Sequence, residues 1–326
     1  MSPLPGVASH ALPKDEGVGK SQFNNILFSP LGDKENPAAI ERLVELARRN
    51  EASVTLFGIV DEPSRIQRAI RGAEHTRAVL AAEEDLLLVK LAKCAANTGD
   101  FGAETVVRYG RPGLAIIEQV LQGGHDLVVV TTDEGSQYRA AIKRLLRMCP
   151  CPVWVIRPTR ARTQRVLAAI HPDPDELELN RSILEIAANL VSSSGGELHV
   201  VAAWQLFGES ALRSSAFVQI PESELEELLT NEEARQRRAV GELLTASDIE
   251  AAPWQIHVQK GDPARVVTEV IAKKQINLLV IGTVGRTGVP GLVIGNTAET
   301  VLDEVRCSVV ATKPPGFISP VELSFH

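Results

Sequence analysis

Apolar residues along this chain fall alternately into short runs and into stripes at helical spacing. Ile26-Leu27-Phe28-Ser29-Pro30 is a run too short for a helix and reads as a buried strand. After a loop containing Pro and Asp, Ala39 to Asn50 repeats apolar positions at the spacing of one helix face. Ser53 to Val60 reads as a second strand and Thr76 to Asn97 as a long amphipathic helix. Val106-Val107-Arg108-Tyr109-Gly110-Arg111-Pro112 then gives a strand, a glycine turn and a proline at the first position of a new helix. Asp126 to Thr131 and Cys151 to Ile156 supply two more strands.

The series then begins again. Val166-Leu167-Ala168-Ala169-Ile170 opens it, and Leu177 to Ser193 follows as a helix with Ile183, Ile186, Ala187 and Leu190 on one face. Glu197 to Trp204 is the second strand and Glu224 to Thr245 the long helix, with Gln205 to Pro221 between them reading as a mobile insert. Ile256-His257-Val258-Gln259-Lys260-Gly261-Asp262-Pro263 repeats the strand-Gly-x-Pro pattern, with Asp262 placed to cap the helix that Pro263 starts. Asn277 to Gly282 matches Asp126 to Thr131, and Cys307 to Pro314 matches Cys151 to Pro158. Between those two matches the offset grows from 151 to 156 residues, so the second half carries extra residues after its fourth strand.

Each half therefore reads β-α-β-α-β-α-β-α-β. That alternation implies a parallel five-stranded sheet with helices on both faces, a doubly wound Rossmann-like α/β fold occurring twice. The expected division is an arm over residues 1–22, disordered and without a signal peptide's apolar core, domains over 23–158 and 164–314, and a tail over 315–326. The fifth strands, Val153 to Ile156 and Val309 to Thr312, are the expected contact of an internal pseudo-dimer; pairing of two whole chains as a homodimer stays open.

Composition narrows the partners. The 326 residues are 44% hydrophobic and 23% charged, enough for two cores, and with only 4% aromatics those cores must be aliphatic. A net charge of −7 excludes a broad basic face for nucleic acid. No apolar run approaches the roughly 18 residues of a membrane span, and a cytoplasmic location is expected. The four cysteines imply no disulfide framework in a chain this long. Cys149-Pro150-Cys151 is too tight for a CxxC redox motif and reads as small buried residues entering a strand.

The candidate chemistry lies in the extra residues of the second half. Gly282-Thr283-Val284-Gly285-Arg286 leaves the fourth strand, and Gly295-Asn296-Thr297-Ala298-Glu299 enters the next helix. Ligands of doubly wound sheets sit at the carboxyl ends of the strands. A glycine loop running into a helix N-terminus offers backbone N–H groups and the positive end of the helix dipole to an anion. Asn296 is expected to cap that helix in a box with Glu299. Arg286 would add charge, and Thr283 and Thr297 hydroxyl donors. The loop is neither a Walker A sequence nor a dinucleotide fingerprint. No metal-ligand spacing and no nucleophile elbow appears, and His199 and His257, lacking HxH or HxxxH partners, read as structural.

The spacing Gly282-x2-Gly285-x9-Gly295, followed by a small polar residue, resembles the ATP-binding motif of the universal stress protein family. The resemblance covers both repeats, and the degenerate first half resembles the family's tandem branch. It implies an ATP or ADP ligand, with or without Mg²⁺. Gly282 would lie against the ribose, Gly295, Asn296 and Thr297 would hold the phosphates, and the backbone at Ala203 would meet the adenine. His171 stands where the family carries an Asp near the base, and Asn296 where it carries Ser or Thr. From the residues alone, His171 reads as a loop histidine. The first half keeps only Gly135 after its fourth strand, sets Asp133 and Glu134 where phosphates would lie, and carries Leu31 at the adenine-side position. No nucleotide is expected there. The expected role is a stress-response regulator without catalytic residues. The alternatives are a carrier of an apolar or lipid-like ligand in a cleft between the halves, and a slow ATPase.

Overall fold

A computed structural model describes residues 22–32, 36–62, 73–98, 102–133, 137–159, 161, 163–191, 196–214, 220–247, 254–283 and 295–323. The expected arm lies almost wholly outside them. In the first half the strands are β1 (Asn25–Pro30), β2 (Ser53–Asp61), β3 (Ala103–Gly110), β4 (Leu127–Thr131) and β5 (Val153–Ile156). Its helices are α1 (Pro37–Asn50), α2 (Ala73–Asn97), α3 (Pro112–Gly123) and α4 (Arg139–Met148). The second half has β6 (Arg165–Ala169), β7 (Glu197–Trp204), β8 (Gln255–Lys260), β9 (Leu278–Gly282) and β10 (Ser308–Thr312). Its helices are α5 (Leu177–Leu190), α6 (Glu209–Ser214), α7 (Glu222–Ala246), α8 (Pro263–Lys274) and α9 (Asn296–Glu304).

All ten strands form one sheet in the order β3-β2-β1-β4-β5-β10-β9-β6-β7-β8. Within each half every pairing is parallel, which requires the helical crossovers that the sequence pattern shows. The halves meet through the two fifth strands, the pair expected from the sequence. They are antiparallel, with Val155 opposite Val309, Trp154 opposite Val310 and Val153 opposite Ala311.

Alternation along each strand sends side chains to two cores. Ile26 and Phe28 join α1, and Leu27 joins α3 and α4, on the opposite face. Both cores run unbroken through the joint, one by way of Trp154 and Val310, the other by way of Val155 and Val309. Polar ties reinforce the contact. Arg49, at the end of α1, donates to the carbonyls of Asn189 and Val191, and the Asn50 and Asn189 amides bond each other. The Lys143 ammonium lies 2.7 Å from Asp303.

Local chemistry sets the helix ends. Asn36 caps α1 by accepting from the Ala39 amide, with Pro37 at the first position, so the helix starts two residues before the apolar stripe does. α5 stops at Leu190 rather than Ser193, because Val191 turns to an extended backbone. The insert expected to be a mobile loop contains α6: Gly208 takes a left-handed φ of 74°, its carbonyl accepts from Leu212, and Glu209 bonds Lys260 and Arg213. Residues 215–219 of that insert lie outside the described residues. α2 is less amphipathic than expected. It buries Leu91 and Cys94 but leaves Leu86 72% exposed.

Asp262 caps α8 through its carboxylate, which accepts from the Arg265 amide at 3.1 Å. Asp262→Ala removes that acceptor and is expected to cost about 1 kcal/mol. A urea titration checks this: the midpoint falls while the slope stays unchanged.

Candidate functional site

Strand order in the second half reverses between β6 and β9, and the crevice of a doubly wound sheet opens at such a point. Gly282 ends β9 and His171 follows β6, so both stand at its mouth. A Cβ at Gly282 would come within 2.9 Å of the Leu179 side chain on α5. A side chain there would have to displace the Leu179 methyl, so helix packing favours glycine at this position. Thr283 is buried, and its amide and hydroxyl both donate to the Thr312 carbonyl, at 2.9 and 3.3 Å. That hydroxyl is turned into the protein, away from the crevice where the sequence reading had offered it as a donor.

The Thr283 carbonyl in turn accepts from the Gly295 amide at 2.9 Å. The chain thus leaves the sheet and returns to it at a hydrogen-bonded neck. The segment between, with Gly285 and Arg286, lies outside the described residues. α9 begins at the neck, and here the capping expectation is corrected. Gly295 is the N-cap, with φ −58° and ψ 140°, and no side chain caps the helix. Asn296 falls one position too late, already inside the first turn and exposed, so its amide side chain is not the cap. The first helical bond is Glu299 N–H to the Gly295 carbonyl. The amides of Asn296, Thr297 and Ala298 precede it and point out of the helix end.

His171 is held by a residue that sequence reasoning passed over. Buried Asn180 on α5 accepts from the His171 amide at 3.1 Å and donates to its carbonyl at 2.6 Å. The imidazole itself is more than half exposed, 4.0 Å from Asp173. A polar Asn on the apolar face of the Leu177–Leu190 stripe was the available signal. Ala203, next to the last residue of β7, pairs with Gln259 and is half-buried.

The same crevice in the first half is filled. Leu31 is buried, and the Lys90 ammonium donates to the carbonyls of Pro30 and Gly32. A Cβ on Gly32 would come within 2.7 Å of the Asp133 carboxylate. The cavity beside Lys90, lined by Phe28, Asn36 and Thr131 among others, is only ≈ 30 Å³. A larger cavity lies elsewhere, at the joint between the halves. It is ≈ 670 Å³, floored by Val155 and Val309 and walled by α4 and α9. Ile142, Leu146 and Leu302 line it together with cationic Arg139, Lys143 and Arg157 and acidic Asp133, Glu299, Asp303 and Glu304. Among the described residues no cluster of His, Cys, Asp and Glu is fit to hold a metal ion. None of their helices is long and apolar enough to cross a membrane.

Two doubly wound domains in tandem, fused through their fifth strands, with one crevice plugged and the other ending at an uncapped helix, define the class of this protein. The family model of the universal stress protein family matches residues 23–157 and again 163–313, and the chain belongs to that family, in its tandem form. It is similar to Universal stress protein E of Escherichia coli K12, with 27% identity over 93% of this chain and 98% of the relative. It is also similar to the Universal stress protein E homolog of Haemophilus influenzae, with 26% identity over 90% and 98%. Among solved structures, a functionally unknown protein from Pseudomonas aeruginosa PAO1 superposes with a TM-score of 0.62 at 22% identity, covering 90% of this chain and 94% of that one. A universal stress protein from Archaeoglobus fulgidus gives 0.55 at 18% identity, covering 89% and 98%.

One pairing was invisible in the sequence. His199 and His257, on adjacent strands, bring Nδ1 and Nε2 to 3.1 Å with their rings stacked. Burial lowers the pKa of both. That of His257 falls to about 4, with His199, Lys274 and Lys273 adding to the effect of burial. Glu197 pulls His199 the other way, with its carboxylate 3.5 Å from Nε2. A folded-state pKa below the unfolded value of about 6.5 means the unfolded chain takes up the proton first as pH falls. The stability this histidine confers is therefore complete above pH ~6.5 and is lost as pH drops toward about 4. His257→Gln removes the titration. The difference between wild-type and variant urea midpoints is expected to shrink from pH 7 to pH 4.5, and a constant difference would contradict it.

Proposed function

We propose that this chain is a stress-response regulator that binds ATP or ADP, with or without Mg²⁺, in the cytoplasm, and that the site lies in the domain spanning 164–314. The observation that carries this reading is the contrast between the crevices. In the domain over 23–158, Lys90 and Asp133 occupy the mouth, whereas in the second domain an uncapped α9 presents three amides beside the neck. The amides of Asn296 and Thr297, with the Thr297 hydroxyl, would take the phosphates. Gly282 and Gly295 would let the backbone approach them, and Gly285 and Arg286 belong to the loop that would close over them. His171 and the backbone of Ala203 would flank the base. The loop adds no evident general base, so the expected role is binding that biases a partner surface rather than rapid hydrolysis.

Thr297→Asp tests this. A carboxylate in the first turn favours the helix dipole, by about 0.3–1 kcal/mol, so the fold is retained. It also repels phosphate, and ATP and ADP affinity measured by calorimetry is expected to fall at least about tenfold. Unchanged affinity would move the site away from α9.

The ≈ 670 Å³ cleft over Val155 and Val309 favours a second reading, a carrier of an apolar or lipid-like ligand. Native mass spectrometry of gently purified protein separates the two: a retained amphiphile without adenine absorbance supports the carrier.

A further inference from the structure

The joint between the halves has local two-fold symmetry, and one pair of equivalent positions breaks it. Arg157 follows β5 and Lys313 follows β10, so each cation reaches toward the start of the opposite half's fifth strand. On one side the arrangement is closed: the Arg157 guanidinium donates to the Val305 carbonyl, and its amide bonds the Ser308 hydroxyl at 3.1 Å. On the other, Lys313 is only 5% exposed and its ammonium has no hydrogen-bond acceptor among the described residues. Its Nζ lies 5.3 Å from the centre of the Phe317 ring, which covers it. Burial lowers the Lys313 pKa, and the groups that couple to it electrostatically and oppose that lowering are a pair of sulfurs. Cys149 ends α4, Cys151 leads into β5, both are buried, and their Sγ atoms are 3.6 Å apart. Val305 and Cys307 occupy the equivalent positions on the closed side.

A buried ammonium without an acceptor is costly, and a thiolate is the one anion these neighbours can supply. Burial by itself raises the Cys149 thiol, but the hydrogen bond with Cys151 and the positive charge of Lys313 outweigh it, and the net direction is down. Cys151, sharing that bond, is pushed up. Of the two thiols Cys149 is therefore the one that ionises more readily, with Cys151 as the hydrogen-bond donor beside it. Cys307 is an internal contrast. Burial raises it to about 11, despite Arg157 nearby, and it has no second thiol in contact.

We propose that Cys149 and Cys151 are a peroxide-reactive thiol pair, activated by Lys313 across the joint, which closes to a disulfide. In the first step the Cys149 thiolate attacks the terminal oxygen of a hydroperoxide. The S–O bond forms, the O–O bond breaks, and the leaving alkoxide or hydroxide takes a proton from water, while Cys151 keeps its own. In the second, the Cys151 sulfur displaces oxygen from the Cys149 sulfenic acid, giving up its proton to the departing hydroxide, which leaves as water. Two thiols are oxidised by two electrons, and one hydroperoxide becomes water and an alcohol, or two waters. The sulfurs need only close from contact to the ~2.05 Å of a disulfide. Burial of both thiols selects hydrogen peroxide over bulky organic hydroperoxides.

The test uses the fully reduced, full-length chain with limiting hydrogen peroxide. Intact mass is expected to fall by about 2 Da, the two hydrogens of one disulfide. Peptide mapping should place the link between Cys149 and Cys151, with Cys94 and Cys307 still free. Lys313→Met, which keeps the length and removes the charge, should slow that reaction at least about tenfold, and Lys313→Arg should restore much of the rate. Wild type in which Cys149 and Cys151 stay reduced while Cys94 or Cys307 oxidises would overturn the proposal, as would a folded Lys313→Met variant reacting at the wild-type rate. If that variant fails to fold, the wild-type map and the absence of the mass loss in Cys149→Ser decide the matter.

Discussion

The antiparallel ladder between β5 and β10 is the interaction on which the rest of the molecule depends. A five-stranded doubly wound sheet has two open edges, and a fifth strand left bare would present unpaired backbone groups to water or to another chain. Joining the two fifth strands removes one edge from each half at once. It also makes the two cores continuous, because Trp154 with Val310 and Val155 with Val309 project to opposite faces of a single sheet. The cleft between α4 and α9 exists because those helices flank the joint without closing over it, and the Lys143–Asp303 bridge spans them. Lys313 couples electrostatically to Cys149 and Cys151 for the same reason: an antiparallel pair sets the end of one strand beside the start of the other.

Within this symmetric frame the halves diverge where the fourth strands end. Thr132 donates to the Ile156 carbonyl and Thr283 to the Thr312 carbonyl, so both exits from the sheet are anchored in the same way. After that anchor the first half spends its side chains filling its own crevice with Leu31, Asp133 and Lys90. The second half makes a detour and returns through the Gly295 amide to an uncapped helix. A carboxylate and an ammonium at the mouth of one crevice, and a helix start without a side-chain cap at the other, are different electrostatic solutions on one fold. Retaining the first half at all follows from the joint, since without it β10 and both cores would be open.

Strand and helix alternation was legible because each strand here is a short aliphatic run bounded by turn residues, as in Leu127–Thr131, where every residue is buried. The proline-started helices at Pro112 and Pro263 were legible for a local reason, the fixed φ of the first helical residue. What stayed hidden depended on contacts between distant residues. Asn180 gripping the His171 backbone, His199 meeting His257 across neighbouring strands, and Lys313 coupled electrostatically to a thiol pair of the other half leave no periodic trace. Reading Cys149-Pro150-Cys151 as small buried residues agrees with their burial but misses the cation that changes their chemistry. The Asn296 cap failed by one position, because glycine at 295 takes a cap conformation without a side-chain acceptor.

The two motif glycines also turn out to have different physical origins. Gly282 is favoured by the approach of Leu179, a packing preference that exists whether or not a ligand binds. Gly295 takes a φ and ψ open to any residue, and its amide is already engaged by Thr283. A cap of Ser, Thr, Asp or Asn there would satisfy a first-turn amide and stabilise α9. Asn36 and Asp262 cap α1 and α8, whereas α9, like α3, α4, α5 and α7, starts without a side-chain cap. In the proposed site this helix start, without a side-chain cap and beside a hydrogen-bonded neck, is where an anion from solution would be accepted.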